Sequence, residues 1–381
     1  MNKKIAIFVV SLILIITLGY LNKDRIAVIF FGPSVSTIPA GLEVEQLSNE
    51  DINLPDIEIV AQDLEIPWEV AFLPSGEILV TERPGRLVII GEDKKVIPIS
   101  GVEHVGEGGL LGLALHPDFE NNNWLYLYLT TLQGESLINR VERYRLIGTE
   151  LSDRQIIVEN IPGAKYHDGG RIEFGPDGYL YISTGDAGDT QQAQNIDSIN
   201  GTILRVMEDG SIPAGNLSGS AVYSYGHRNV QGLAWDVQGN LWATEHGRSG
   251  LSSGFDEINL IENQGNYGWP INEGDRNSEG MILPALHSGP DETWAPGDIA
   301  YDQGRLFFTG LRGASLYQSD IEGKEITSIK RHFTGEFGRL RAVRVHEDYL
   351  YITTSNRDGR GEQNEGDDKL IRIKLSIFDE N

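Results

Sequence analysis

The chain of 381 residues contains no cysteine. Disulfides, thiolate metal centres, a Cys-x-x-Cys-His haem attachment and a lipid-modified cysteine are therefore excluded. Positive charge is also scarce. The 31 Lys and Arg residues face 56 Asp and Glu, a formal net charge of −25. Such a surface repels phosphates, so a nucleic-acid partner is excluded. A small anion in a local basic pocket is not. Amphipathic helical stripes are missing after the N-terminus. The glycine-rich segment Gly106 to Gly112 lacks the Lys and Ser/Thr of a nucleotide-binding loop.

Long apolar runs are absent too, with one exception. Lys3 and Lys4 precede an apolar run from Ile5 to Leu18 that extends to Leu21. A short basic region before such a run is an export signal. About 17 residues span roughly 25 Å as a helix, slightly short of a bilayer core. Residues 1–22 thus read as an apolar N-terminal helix, either a cleaved signal peptide or a membrane anchor. Residues 23–55, rich in Pro, Ser and acids near Pro33 to Pro55, read as a tether. The remaining domain, 56–377, is expected outside the cytoplasmic membrane, in the periplasm or at the cell surface. It is tethered there through residues 5–21 or secreted.

What is abundant is glycine, with 45 residues, and one recurring phrase. A turn is followed by an alternating apolar strand and then by polar residues. The phrase occurs at Pro74 to Glu82, Asn123 to Tyr128, Pro176 to Asp186, Gln238 to Glu245, Gln303 to Gly310 and Glu347 to Thr354. Period-two aromatic and β-branched residues after a turn are a strand signal. Recurrence every roughly 45–65 residues is the spacing of propeller blades with loop insertions. Six copies predict an all-β fold, a six-bladed β-propeller of about four strands per blade.

Propeller chemistry sits in the loops at one end of the axis. Here those loops differ from one another. They include Tyr166 to Arg171, Tyr225 to Leu233, Glu245 to Gly247, Asp256 to Leu260, Gly265 to Pro270, Gly106 to Phe119 and Gly338 to Val343. Most lone histidines are structural, but His167 lies among glycines before a strand, where backbone can approach a ligand. Arg339 and Arg341 alternate and would share one strand face, which alone reads as a solvated salt-bridge surface. Asp256 and Glu257 read most simply as surface charges.

Taken together, from about Ile66 to Thr354, these segments resemble the soluble quinoprotein sugar dehydrogenases. These are six-bladed propellers that bind pyrroloquinoline quinone (PQQ) and calcium. The shorter loops are more similar to the aldose sugar dehydrogenase branch. The resemblance implies oxidation of aldoses at the anomeric carbon to lactones, with an external electron acceptor. It makes His167, in His-x-x-Gly-Arg, the general base, with hydride passing to C5 of the quinone. Arg228 is implied in catalysis and, with Asn229, in quinone contact. Arg339 and Arg341 would hold cofactor carboxylates, and Arg312 falls where the family often has lysine.

For calcium, the resemblance implies the main chain of Gly247 and Arg248 at the cofactor, the latter where proline is common. It implies Glu257 and the Tyr267 carbonyl at a second site. Glu107 stands near the cofactor where family members carry glutamine, and needs calcium, arginine or a proton to compensate its charge. The polar stretch Ala187 to Ile196 is a further candidate for the cofactor rim, and Trp294 to Gly297 departs from the family's Ala-Pro-Ser-Gly. Two other readings remain open: a catalytically inactive propeller ectodomain that binds carbohydrate or protein, and a calcium-dependent lactone hydrolase.

Overall fold

The computed structural model describes residues 56–250 and 253–379, together with the backbone of 44–46. The apolar run 5–21 lies outside the described residues, as does most of the tether. Among the described residues no helix is long and apolar enough to cross a membrane.

Six sheets are arranged around one axis. The first comprises Pro67–Phe72, Ile78–Glu82, Arg86–Ile90 and Lys95–Pro98. The second comprises Leu110–Leu115, Trp124–Gln133, Ser136–Ile147 and Glu150–Pro162. Ile172–Phe174, Leu180–Ser183, Thr202–Val206 and Val222–Tyr225 make the third. Val230–Trp235, Leu241–Glu245, Glu257–Ile261 and Leu286–His287 make the fourth. The fifth is built on Pro296–Asp302, Arg305–Gly310, Ser315–Glu322 and Ile329–His332. Val44–Gln46 adds to its outer edge, parallel to Ile329–His332, inside the stretch read as tether.

The sixth sheet closes the ring. Its strands are Leu340–His346, Tyr349–Thr354 and Leu370–Lys374, and its outermost strand is Ile57–Ala61 from the start of the domain. The ring is thus clasped by pairing the first propeller strand with the last.

Each of the six sequence phrases contributes the second strand of one blade. These strands are buried almost throughout, between neighbouring blades, which is why their apolar pattern is the clearest in the chain. The first strand of each blade lines the axis, and those of blades one, five and six, with the residue before that of blade three, carry charge there. Glu69, Arg171, Asp298 and Arg344 meet there in a buried ion network. Arg171 contacts Glu69, its Nε lies 3.2 Å from Asp298, and Arg344 Nη2 lies 2.8 Å from Glu69. Arg171 also stacks on Trp68 at 4.2 Å. Buried charges survive only when paired, and here each carboxylate faces an arginine.

Candidate active site

Chain direction alone gathers the chemistry. In every blade the turn between strands one and two lies at one end of the axis. The loop between strands two and three, and the crossover to the next blade, lie at the other. Glu107, His167, Arg228 and Arg339 sit on crossovers, while His246, Arg312 and Arg360 follow second strands. They converge on a cavity of about 320 Å³.

His167 adopts φ +63°, unusual for a residue with a side chain. Its loop is over-determined. The carbonyl of His167 accepts from Ala187 N–H at 3.2 Å, and it lies so close to Gly185 that a Cβ there would fall 1.8 Å from the oxygen. Asn229 Oδ1 accepts the N–H of Gly169 at 3.0 Å. The imidazole is oriented at both ends. Its Nδ1 lies 2.7 Å from Asp186 Oδ1, and its Nε2 lies 2.8 Å from Arg228 Nη2. A guanidinium can only donate, so Nε2 carries the lone pair and Nδ1 the proton.

Asp186 is fully buried. Burial pushes its pKa up, but the His167 hydrogen bond, the N–H of Gly188 and the Trp269 indole outweigh that and hold it below the ordinary carboxylate value. Trp269 Nε1–H donates to Asp186 Oδ2 at 2.9 Å, and the Trp269 carbonyl accepts from Gln194 at 2.8 Å. The polar stretch Ala187 to Ile196 therefore braces the residue behind the histidine, and none of it lines the cavity.

Arg228 also donates to Ser249 Oγ at 2.8 Å, and burial lowers its pKa. Arg339 is held by Asp358, with Nη2 2.8 Å from Oδ2, and by the Leu311 carbonyl at 3.1 Å. Burial raises the Asp358 pKa, but Arg339 and then Arg360 and Arg83 bring it below its usual value. Arg312 donates to Ser253 Oγ at 2.8 Å and lines the same cavity. Arg339 and Arg341 are both buried, which corrects their reading as a solvated face. The second of them faces a smaller chamber on the axis, where Arg341 Nη1 donates to Gln231 Oε1 at 2.7 Å. Burial lowers its pKa to about 9.

Glu107 finds the compensating arginine. Burial would raise its pKa, yet Arg360 first, then the His167 N–H, bring it down to about 2. Asn229 is buried and does not line the cavity; its role here is to fix the His167 loop. Gly247 and Arg248 do line it. The Gly247 N–H donates to Asp256 Oδ1 at 2.8 Å, and the Arg248 carbonyl accepts from Gly254 at 3.3 Å. Asp256 is buried, with Oδ2 accepting from the N–H groups of Trp294 and Ala295 at 2.7 and 2.9 Å. The reading of Asp256 as a surface charge is therefore corrected.

Glu257 and Tyr267 lie away from the cavity lining. The Glu257 pKa is pushed up, by burial first and then by the neighbouring Glu245 carboxylate. Tyr267 stacks on His227 at 4.6 Å and donates from its hydroxyl to the Leu260 carbonyl at 2.6 Å. Among the described residues no group of three or more His, Asp or Glu side chains is arranged to hold a metal.

Three residues of the site were not singled out from sequence. Asp186 closes the third repeated phrase, where its acidic character could have been read against Glu82 and Glu245 at the ends of the first and fourth. His246 lines the cavity, donates from Nε2 to the Pro296 carbonyl at 3.0 Å, and is driven by burial to a pKa of about 3. Arg360 sits in Asp358-Gly359-Arg360-Gly361, which carries no signal beyond that of a polar loop.

The site is thus a carboxylate-anchored imidazole in an arginine-lined axial cavity of a propeller, and similarity to known proteins supplies its class, a sugar dehydrogenase. The family model described as Glucose / Sorbosone dehydrogenase matches residues 64–372, and the chain belongs to that family. It is 30% identical to the aldose sugar dehydrogenase YliI of Escherichia coli, over 80% of this chain and 91% of that one. It is 37% identical to the protein slr1608 of Synechocystis, over 81% and 86%. Among solved structures, the PQQ-bound aldose sugar dehydrogenase of Streptomyces coelicolor superimposes with a TM-score of 0.78 at 38% identity, covering 89% of this chain and 99% of that one. A putative glucose dehydrogenase structure from Thermus thermophilus gives 0.79 at 42% identity, covering 83% and 99%.

Proposed function

We propose that this chain oxidises aldose sugars at the anomeric carbon to lactones, with PQQ as cofactor and His167 as general base. The observation that carries the reading is the His167 imidazole, with its proton pinned toward Asp186 and its lone pair directed at the cavity wall. The lining charge supports the cofactor. Five arginines, Arg228, Arg248, Arg312, Arg339 and Arg360, face two carboxylates, Glu107 and Asp256. Asp358 pairs with Arg339 and Glu273 with Arg248 behind the lining, so the wall is rich in arginine donors for anionic groups rather than strongly charged, inside a protein whose overall charge is strongly negative. Arg312 and Arg339 would hold those carboxylates, and Arg228 the quinone edge. When bound, PQQ supplies the acceptor for the hydride that leaves the sugar carbon.

His167 Nε2 takes the hydroxyl proton. To do so it exchanges its hydrogen bond from Arg228 for one from the substrate, while Ser249 keeps Arg228 in the wall. The imidazolium that forms is stabilised through Nδ1–H by Asp186. His246 is the other imidazole of the lining, with its Nε2–H spent on Pro296.

Calcium fits two places in the chain's own chemistry. Gly247 and Arg248 line the cavity, and their main-chain oxygens would be the ligands there. Away from it, Glu257 and Glu245 are neighbouring carboxylates on adjacent strands, and the buried Asn259 Oδ1 between them accepts no hydrogen bond. Glu257 and this orphaned acceptor are the oxygen ligands that a hard cation would take there. Electrons would leave to an external acceptor, because no haem-attachment motif exists. The basic and apolar N-terminal segment supports an extracytoplasmic, tethered or secreted location.

The test uses the full chain purified without cofactor. PQQ is titrated with calcium present, then glucose and a dye acceptor are added. Dye reduction that requires PQQ and sugar is the expected result. A folded chain that takes up no PQQ overturns the reading.

A further inference from the structure

We propose that Glu107 is a positioning residue for the base His167, and that Arg360 is the fixed counter-charge that lets a carboxylate stand there. The inference rests on the functional reading above. Glu107 Oε2 accepts the backbone N–H of His167 at 3.0 Å, and Oε1 accepts from Arg360 Nη1 at 3.0 Å. Its own N–H donates to the Lys165 carbonyl at 2.9 Å. One residue thus grips both ends of the segment 165–167.

The grip has a reason. His167 sits in the left-handed region, which disfavours a residue with a Cβ. A strained conformation persists only where its surroundings dictate it. The loop that delivers Glu107 is itself fixed. Gly106 approaches the Lys165 carbonyl so closely that a Cβ would lie 2.0 Å from it, and Arg83 donates to the Gly106 carbonyl. Glu107 therefore transmits a rigid platform to the backbone of the base.

Arg360 arrives from the sixth blade, which neighbours the first in the closed ring, on the loop after Tyr349–Thr354. Its backbone N–H donates to Asp358 Oδ1 at 2.9 Å, and Asp358 in turn holds Arg339. An unbalanced carboxylate at this wall would repel an anionic cofactor, but a paired one would not. The two residues should therefore show opposite signatures. Glu107 governs turnover through His167, and Arg360 governs cofactor affinity through Glu107.

The experiment is a cycle of Glu107→Ala, Glu107→Gln, Arg360→Ala and the double variant Glu107→Gln/Arg360→Ala. PQQ affinity is read by titration of the cofactor-free protein, and kcat at saturating PQQ and sugar. Thermal melts check folding. Glu107→Ala is expected to lower kcat about tenfold or more while PQQ binds as tightly or more tightly. Glu107→Gln should recover most of that kcat, because an amide oxygen can accept the His167 N–H. Arg360→Ala should weaken PQQ about tenfold, and the double variant should restore it.

Loss of PQQ affinity in Glu107→Ala in step with kcat overturns the proposal and makes Glu107 a cofactor ligand. So does a double variant no better than Arg360→Ala. If Glu107→Ala does not fold, the Glu107→Gln and Arg360→Ala arms decide alone. A wild-type protein that takes up no PQQ overturns the functional reading and this inference with it. Uptake by the wild type with an additive cycle overturns only this inference.

Discussion

Arg228 Nη2 lies 2.8 Å from His167 Nε2, so a cation of the cavity wall rests on the lone pair assigned to proton abstraction. The contact does two things. It fixes the imidazole tautomer, because the donor cannot accept. It also keeps the two groups that must cooperate within one hydrogen bond of each other. Substitution of His167 by Ala is expected to leave PQQ affinity within a few-fold and to lower kcat by about 100-fold or more, the usual weight of a general base. Stopped turnover with intact quinone titration is the signature to measure; undiminished kcat would remove His167 from the reaction.

Asp186 should behave as the anchor of that base. Asp186→Asn preserves volume but removes the charge facing Nδ1–H, 2.7 Å away. The expected outcome is a fall in kcat of about tenfold or more with KM for sugar little changed, since the loss falls in the transition state. Equal kcat in the variant would show that orientation comes from Trp269 and the loop alone.

Arg339 is expected to act on affinity rather than on turnover. Removing it takes a buried charge-assisted donor from the cavity and leaves Asp358 less compensated. Arg339→Ala should weaken PQQ by about 10- to 100-fold, in line with roughly 1.5–3 kcal/mol for a hydrogen bond to a charged group. The salt dependence of binding should fall as well. Titrations at low and moderate ionic strength read both effects.

Calcium at the Glu245 and Glu257 pair should register as stability. A ligand present at about a hundredfold its Kd adds roughly 2.7 kcal/mol. Calcium is expected to raise the melting temperature of the wild type and to do so less for Glu257→Gln. An identical calcium response in the variant would place the ion elsewhere.

His332 gives the fold an acid-sensitive point remote from the site. Burial first, and Lys330 second, lower its pKa to about 4, and its Nε2 lies 3.1 Å from Gln318 Oε1. Below the ordinary histidine value the unfolded chain binds a proton that the folded chain does not. Stability from this group is therefore whole above pH 6.5 and declines as pH falls toward 4. Between about pH 7.5 and 5.0 the loss approaches roughly 2 kcal/mol. Urea melts of His332→Gln at the two pH values should show a smaller loss than the wild type; equal losses would show that this histidine is protonated in the fold without penalty.

The fold was legible where a strand had one duty. Leu180–Ser183 and Tyr349–Thr354 are buried between blades and show an uninterrupted apolar pattern. Pro67–Phe72 and Leu340–His346 also supply Glu69 and Arg344 to the axis, so their polar residues blurred the pattern. In the site, His167 stood out because it lies among glycines before a strand, whereas Arg228 was reached only through the resemblance to the family. Asp186 was hidden as the tail of a repeat. Arg360 was hidden because its role comes from a partner 253 positions away, a separation no local pattern encodes. The surface reading of Asp256 failed for a related reason: three backbone N–H groups supply what solvent otherwise would.

The clasp between Ile57–Ala61 and Leu370–Lys374 ties the site to the order of synthesis. His167 and Arg228 leave the ribosome long before Arg339 and Arg360 exist. Until the last strand emerges, the first has no partner, and the wall that balances Glu107 has not been made. A chain halted after the fifth blade would thus carry the base without its counter-charge or its clasp. The pairing of Glu107 with its counter-charge is a property of the finished ring.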